Sequence, residues 1–175
     1  MNEHNVNYNF VDSKAPQAVV KFKKTDEKAI LPRKAHPNPL TGDTGYDLFA
    51  IEDTVIPARG SAVVPVGITL AYLTPGYWFR IEPRSGLGFK HNLQPHLGVI
   101  DNPYRGDLGV KLYNFSDKDA TIEAGKACAQ FALYQIIDSF VEWTETIYET
   151  DRGESGFGSS DKQKEPELFD FRKDM

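Results

Sequence analysis

The stretch GYWFRIEP, Gly76 to Pro83, decides the fold class. Tyr77, Phe79 and Ile81 alternate with Trp78, Arg80 and Glu82, the two-residue period of a strand with one face buried. Pro83 has no N–H to continue a ladder, so the strand stops there. Outward from it, short β-prone runs recur between Gly, Pro, Asn and Asp punctuation: AVVKF, DTVIPARG, SAVVPVGITLAYL, LGVID, LGVKLYNF, ATIEAG, ACAQFALYQI and FVEWTET. Many short strands at close spacing mean an all-β sandwich, barrel or jelly roll. No long amphipathic helix competes, and the best helical stretch is one or two turns around SGLGFKH, Ser85 to His91.

A chain of 175 residues with ordinary globular composition fits one domain and folds without a disulfide or metal. The single cysteine, Cys128, excludes a disulfide within the chain and fits a reducing compartment. The N-terminus has neither a basic region nor an apolar one, and no apolar run approaches the roughly 18 residues of a membrane span. These features predict a soluble, cytoplasmic protein with no membrane partner. The net charge of −5 argues against a general nucleic-acid coat, because nonspecific binding draws on surplus Lys and Arg. A small anion needs only a few local cations. By composition the chain divides into an Asn-rich arm (1–18), a β-rich body (19–147) and a second arm (148–175) rich in Gly, Ser and charge.

Five stretches carry chemistry, and each has a plain structural reading beside it. In EPRSGLGFKH the turn opened by Ser85 and Gly86 offers backbone N–H groups to an anion, with Arg84 alongside; it reads equally as a strand-to-helix connection with Ser85 as N-cap. HLGVIDNPYRGDLGVKLYNF reads as a β-hairpin turning at Asn102 to Gly106. There Asp101 is either a general base at the mouth of a groove, with Tyr104 as a flat wall, or a turn cap on a solvated tip. In TGDTGYDLFA, Asp43 and Asp47 are hard oxygen ligands suited to Mg²⁺, or simply turn acids. In GKACAQFALYQ, Ala127, Ala129, Phe131 and Leu133 are predicted to share one strand face, with Cys128 and Gln130 on the other; Cys128 reads as a small buried hydrophobe. RGESGFGSS is either a flexible tail or a phosphate contact made by Arg152, Ser159 and Ser160, with Phe157 stacking on a base. The GK pair at Gly125 lacks the flanking residues of a phosphate-binding loop, GESGFG is not GxSxG, and His4, His36, His91 and His96 lack zinc-ligand spacing.

In this order the five stretches resemble the five motifs of the trimeric deoxyuridine triphosphatases (dUTP pyrophosphatases): TGYDLFA the first, PRSGLGFK the second, GVIDNPYRGD the third, GKACAQF the fourth and RGESGFGSS the fifth. The similarity covers roughly residues 19 to 160. It implies a jelly-roll-like distorted β-barrel with one short helix and a mobile C-terminal arm. It also implies a homotrimer whose active sites are shared between subunits, hydrolysis of dUTP to dUMP and pyrophosphate, and a need for Mg²⁺. On the same basis Asp101 matches the carboxylate that activates water and Tyr104 the ring under the sugar, while backbone near Gly98 and Val99 matches the uracil-reading edge. Ser85, Gly86, Arg84 and Gln130 match phosphate-binding positions, and Asp47 the acid that supports the metal through water. In the arm, Arg152, Gly158, Ser159 and Ser160 match phosphate contacts, and Phe157 the ring that covers uracil.

The chain departs from the family pattern at Pro103, Gly88, Cys128 and Glu154-Ser155, none of them a group assigned to chemistry. A dCTP-deaminase-type relative and a jelly-roll binding or regulatory module stand as alternatives. The two arms are candidate contacts for a protein partner.

Overall fold

The computed structural model describes residues 18–150 together with Gly153 and Glu154. Two units divide between Asp138 and Ser139. The first holds every regular element among the described residues: β1 (Val20–Lys24), β2 (Tyr46–Phe49), β3 (Thr54–Ile56), β4 (Ser61–Leu73), β5 (Tyr77–Glu82), α1 (Ser85–His91), β6 (Leu93–Pro95), β7 (Val99–Ile100), β8 (Asp107–Asn114), β9 (Ala120–Ile122) and β10 (Ala127–Gln135). The expected all-β, jelly-roll-like class with one short helix is what the chain adopts. Its strands form two four-stranded sheets, β1-β4-β8-β6 and β2-β10-β5-β7, and a β3-β9 pair, and no sheet closes on itself. None of the described helices is long and apolar enough to cross a membrane.

The alternation in GYWFRIEP is realised in β5, where Phe79 and Ile81 are buried while Trp78, Arg80 and Glu82 lie half-exposed on the other face. Opposite, β4 and β8 turn Val64, Val66, Ile68, Leu70, Val110 and Leu112 inward. Phe22 of β1 bridges the sheets, its ring 6.2 Å from Phe79 and 5.7 Å from Phe131. Phe131 also lies 4.7 Å from Phe79 and stacks on Tyr46 at 5.1 Å. Gly67 bends the long β4: at φ +65° it adopts a conformation that L side chains resist, and its carbonyl accepts the N–H of Thr25. The β4–β8 register shifts across that point.

Four sequence expectations are corrected here. LGVID and LGVKLYNF do not form a hairpin: β7 pairs with β5, β8 pairs with β4 and β6, and the turn between them crosses from one sheet to the other. That turn begins a residue early, with the N–H of Tyr104 donating to the Asp101 carbonyl at 3.0 Å. Cys128 does not share a face with Gln130, because the β10–β2 register shifts between Ala127 and Ala129 and drives both Cys128 and Ala129 into the core. FVEWTET, in the second unit, forms no strand. The strand β6, too short to show a period, carries no β-prone run in the sequence.

Burial pushes the Cys128 thiol up to about 12, and its Sγ donates to the Leu48 carbonyl at 3.3 Å. The folded state therefore holds the neutral thiol, whose contribution is full below the ordinary value of 9.0 and is lost as pH rises toward about 12. A thiol-exchange reagent at pH 8 should leave the native protein unlabelled and react only after unfolding in urea. A Cys128→Ala variant should lose less stability than the wild type between pH 9 and 12. Rapid labelling of the native protein would contradict this placement.

Candidate active site

Register sets the site. Gln130 on β10 stands opposite Asp47 on β2 and opposite Glu82 on β5, so the three residues form one row across the sheet. Just past this row, Pro83 ends β5, Arg84 takes an extended conformation (φ −99°, ψ 129°) and α1 begins at Ser85. A cleft of about 690 Å³ opens over the row, lined by Thr44, Asp47, Arg84, Ser85 and Gln130 among others. The first, second and fourth motifs, separated in sequence, thus meet in one cleft.

Inside it, Arg84 grips Asp47 through two nitrogens, Nε to Oδ1 at 2.9 Å and Nη2 to Oδ2 at 3.4 Å, and donates Nη1 to the Ala127 carbonyl at 3.1 Å. The guanidinium is thereby partly neutralised and aimed, rather than free beside Ser85. Ser85 is not the N-cap: Arg84 holds that position, without a side-chain cap bond, and Ser85 starts the helix with its side chain exposed. The Arg84 carbonyl accepts the N–H groups of Leu87 and Gly88, whereas the N–H groups of the first helical positions have no acceptor within a helix. Lys90 and His91 occupy the last turn, where positive charge suits the helix dipole.

Gln130 Nε2 donates to the Pro83 carbonyl at 2.8 Å, tying β10 to the start of α1. Gly45 makes this possible, because a Cβ there would overlap Gln130 Oε1. The Asp47 N–H is held in turn by the Arg33 carbonyl at 2.9 Å. On the cleft wall, Glu82 Oε1 accepts from Tyr134 at 2.7 Å and from Arg80 Nε at 2.8 Å, and Tyr134 stacks on Trp78 at 4.8 Å. The hydrogen bond to Glu82 raises both the Tyr134 phenol and the Arg80 guanidinium above their ordinary values. At the rim, His36 donates its backbone N–H to Asp43 Oδ2 at 2.8 Å, which lowers the Asp43 carboxyl; the ring Nδ1 lies 3.2 Å from the same oxygen. Asp43 is thus committed to His36. Tyr134 reaches Glu82 and Arg80 across more than fifty residues, and no short motif announces that contact or the local His36–Asp43 pair.

Asp101 and Tyr104 lie elsewhere. Phe79 pairs with Ile100 and Arg80 with Val99, so Asp101 falls one step further, toward the start of β5. The row runs through Glu82 at the other end of β5, and β7, which leads into Asp101, lies three strands across from the β2 of Asp47. At about 4.8 Å per strand and about 3.4 Å per residue, Asp101 stands roughly 20 Å from Asp47. Gly98 and Val99 border β5, the Gly98 carbonyl accepting the Ile81 N–H at 3.0 Å. Asp101 is exposed, and Tyr104 is partly so, its hydroxyl donating to the Asp107 carbonyl at 3.1 Å. Arg152, Phe157, Gly158, Ser159 and Ser160 lie outside the described residues.

The fold defines a jelly-roll-like β protein with the Asp47–Arg84–Gln130 cleft on one sheet and an exposed carboxylate turn at that sheet's far edge. The family model described as dUTPase matches residues 29–161, and the chain belongs to that family. It is similar to a deoxyuridine 5'-triphosphate nucleotidohydrolase of Arabidopsis thaliana, 40% identical over 146 residues that cover 83% of this chain and 85% of that one. Among solved structures, a mutant dUTPase of Staphylococcus bacteriophage 80alpha with dUpNHpp is 25% identical with a TM-score of 0.71, covering 81% of this chain and 98% of that one. A dUTPase of phage phi11 of S. aureus, described with a structural Mg(II) ion, shares the fold at a TM-score of 0.64 and 21% identity, covering 75% of this chain and 99% of that one.

Gly45→Ala should destabilise the protein by about 0.5–1.5 kcal/mol, the usual net worth of a hydrogen bond, because the new methyl displaces the Gln130 amide from the Pro83 carbonyl. Gly86→Ala, where a Cβ meets nothing within 4 Å, should leave stability unchanged or raise it by up to about 1 kcal/mol. Urea denaturation of both variants checks the pair; equal effects would contradict the close approach of Gln130 to Gly45.

Proposed function

We propose that this chain is a dUTP pyrophosphatase, hydrolysing dUTP to dUMP and pyrophosphate, and so limiting uracil in DNA while supplying the thymidylate precursor. Membership of the dUTPase family supports the activity. The observation that carries the arrangement is the separation of the cleft from Asp101. A triphosphate spans far less than the roughly 20 Å between Asp47 and Asp101, so one chain cannot offer both to one substrate. The site is therefore built between copies, with the cleft of Asp47, Arg84, Ser85, Gly86 and Gln130 facing the Asp101 turn of a neighbour. The assembly is a homotrimer, as the family resemblance implies.

In this site Arg84, the α1 amides at Ser85 and Gly86, and Gln130 hold the phosphates. Asp101 aims a water at the α-phosphorus and takes its proton, Tyr104 packs under the sugar, and backbone at Gly98 and Val99 reads the uracil edge. Positioning and charge neutralisation suffice for phosphoryl chemistry, without a covalent intermediate. The family resemblance supports residues 148–175 as the arm that closes the site, with Arg152, Gly158, Ser159 and Ser160 assigned to the phosphates and Phe157 to the base, and residues 1–18 as an N-terminal arm. Closure excludes bulk water. The proposed setting is the cytoplasm, with no membrane or nucleic-acid partner.

The cleft fits Mg²⁺ held mainly by substrate phosphates. Among the described residues no three His, Cys, Asp or Glu side chains cluster to hold an ion. Asp47 lines the cleft and retains lone pairs beyond the two that Arg84 takes, which is enough to support a hydrated ion through water. Bound there with the substrate, Mg²⁺ neutralises phosphate charge.

Pyrophosphate release should be at least about 100-fold more efficient with dUTP than with dTTP, dCTP or UTP, since a site of fixed hydrogen-bond partners rejects misfits strongly. It should also fall when Mg²⁺ is chelated. Turnover of all four nucleotides at one rate, or of none, would defeat the reading, and deamination of dCTP would favour the deaminase-type relative. Asp101→Asn should lower kcat by at least about 100-fold while dUpNHpp still binds; a near-normal rate would remove Asp101 as the base.

A further inference from the structure

Among the described residues no side-chain bond holds the Asp101 carboxylate, so its place is set by the backbone of its own turn. That turn is moored by Asn102. The half-buried Asn102 amide nitrogen lies 3.2 Å from the Leu73 carbonyl, 3.1 Å from that of Thr74 and 3.0 Å from that of Tyr77. These three carbonyls converge where β4 turns into β5, so a single nitrogen fastens the third motif to the β4–β5 turn. The backbone of the loop is braced from its other side. Arg105 Nη1 donates to the carbonyls of Asn102 at 2.6 Å and Tyr104 at 2.7 Å, and Thr69 Oγ1 meets the carbonyls of Arg105 and Gly106, each at 2.8 Å.

Asn in this turn suggests a side chain bonded to its own neighbouring backbone. Here it reaches instead across about 25 residues to another element. We propose that Asn102 is a positioning residue for the reaction: its amide registers the Asp101 turn against the β4–β5 turn and so sets where the carboxylate meets the water. This rests on the reading of Asp101 given above. Thr69 holds the later part of the loop and Arg105 ties the loop to itself, so among the described residues the Asn102 amide is the side-chain bond that fastens its start to another element. Misplacing a reacting group by about 1 Å can cost about 100-fold in rate, whereas binding spread over phosphates, sugar and base tolerates such a shift. Loss of the anchor should therefore fall on turnover more than on affinity.

Two variants of the full-length protein separate this role from a merely structural one. Asn102→Ala removes the donor, and Asn102→Asp, nearly the same shape, sets oxygen against three carbonyl oxygens. Sites are counted by titration with dUpNHpp, and kcat is expressed per titrated site, so that a misfolded fraction does not enter the rate. The expected result is a fall in kcat per site of at least about tenfold in both, with dUpNHpp affinity within about fivefold of wild type and the number of sites unchanged. A kcat per site within twofold of wild type in either folded variant overturns the proposal. So does failure of both variants to fold, because Asn102 would then serve the fold as a whole. Inactivity of the wild type on dUTP, or full activity of Asp101→Asn, removes the function reading itself and is told apart by those two controls.

Discussion

Everything in the cleft depends on the register of β10. Phe131 packs on Phe79 at 4.7 Å and on Tyr46 at 5.1 Å, so the core grips β10 from both neighbouring strands at once. A slip of one residue would turn Phe131 outward and Gln130 inward, exposing a large aromatic and burying an amide, which is why register is strongly specified where one face is buried. With Phe131 inside, Gln130 must face out, opposite Asp47 and Glu82. The cleft is the outward consequence of an inward packing decision. Arg84 then joins the row because Pro83 breaks β5 at that level, and the guanidinium finds the Asp47 carboxylate 2.9 Å away.

The same sheet keeps Asp101, the proposed base, away from the cleft proposed to hold the phosphates. β7 continues the sheet beyond β5 and points Asp101 toward the opposite end from Glu82. Sheet geometry, rather than a flexible loop, sets the separation of roughly 20 Å. This makes a site between copies a requirement of the proposed chemistry. Asp101, Tyr104 and Val99 are exposed in the single chain, as the proposed site between copies requires.

Much of this was legible in the residues. Period-two alternation marked β5, and SGLGFKH just past the strand-ending Pro83 marked α1, because both signals are local, although the N-cap proved to be Arg84 and not Ser85. The motifs of the family picked out Asp47, Arg84, Ser85 and Gln130, which the fold brings together. What stayed hidden was non-local. LGVID and LGVKLYNF flank a turn and look like hairpin partners, but their hydrogen bonds go to β5 on one side and to β4 and β6 on the other. Cys128 reads as a small buried hydrophobe and is one, but its expected shared face with Gln130 is lost to the register shift beside it. The engagement of Arg84 with Asp47, and of Asn102 with Leu73, Thr74 and Tyr77, spans tens of residues and leaves no local trace. The sequence also offered FVEWTET as a strand on propensity alone, and propensity without a sheet to join does not make one.

The central claim is that cradle and carboxylate come from different chains. Chains carrying Asp101→Asn are mixed under reassociating conditions with chains carrying Gln130→Ala, each nearly inactive alone, and dUTP hydrolysis is followed. Shared sites require the mixture to regain activity, since some sites then pair an intact cradle with an intact Asp101. A mixture that stays at the level of its parents, with subunit exchange verified, would contradict the account.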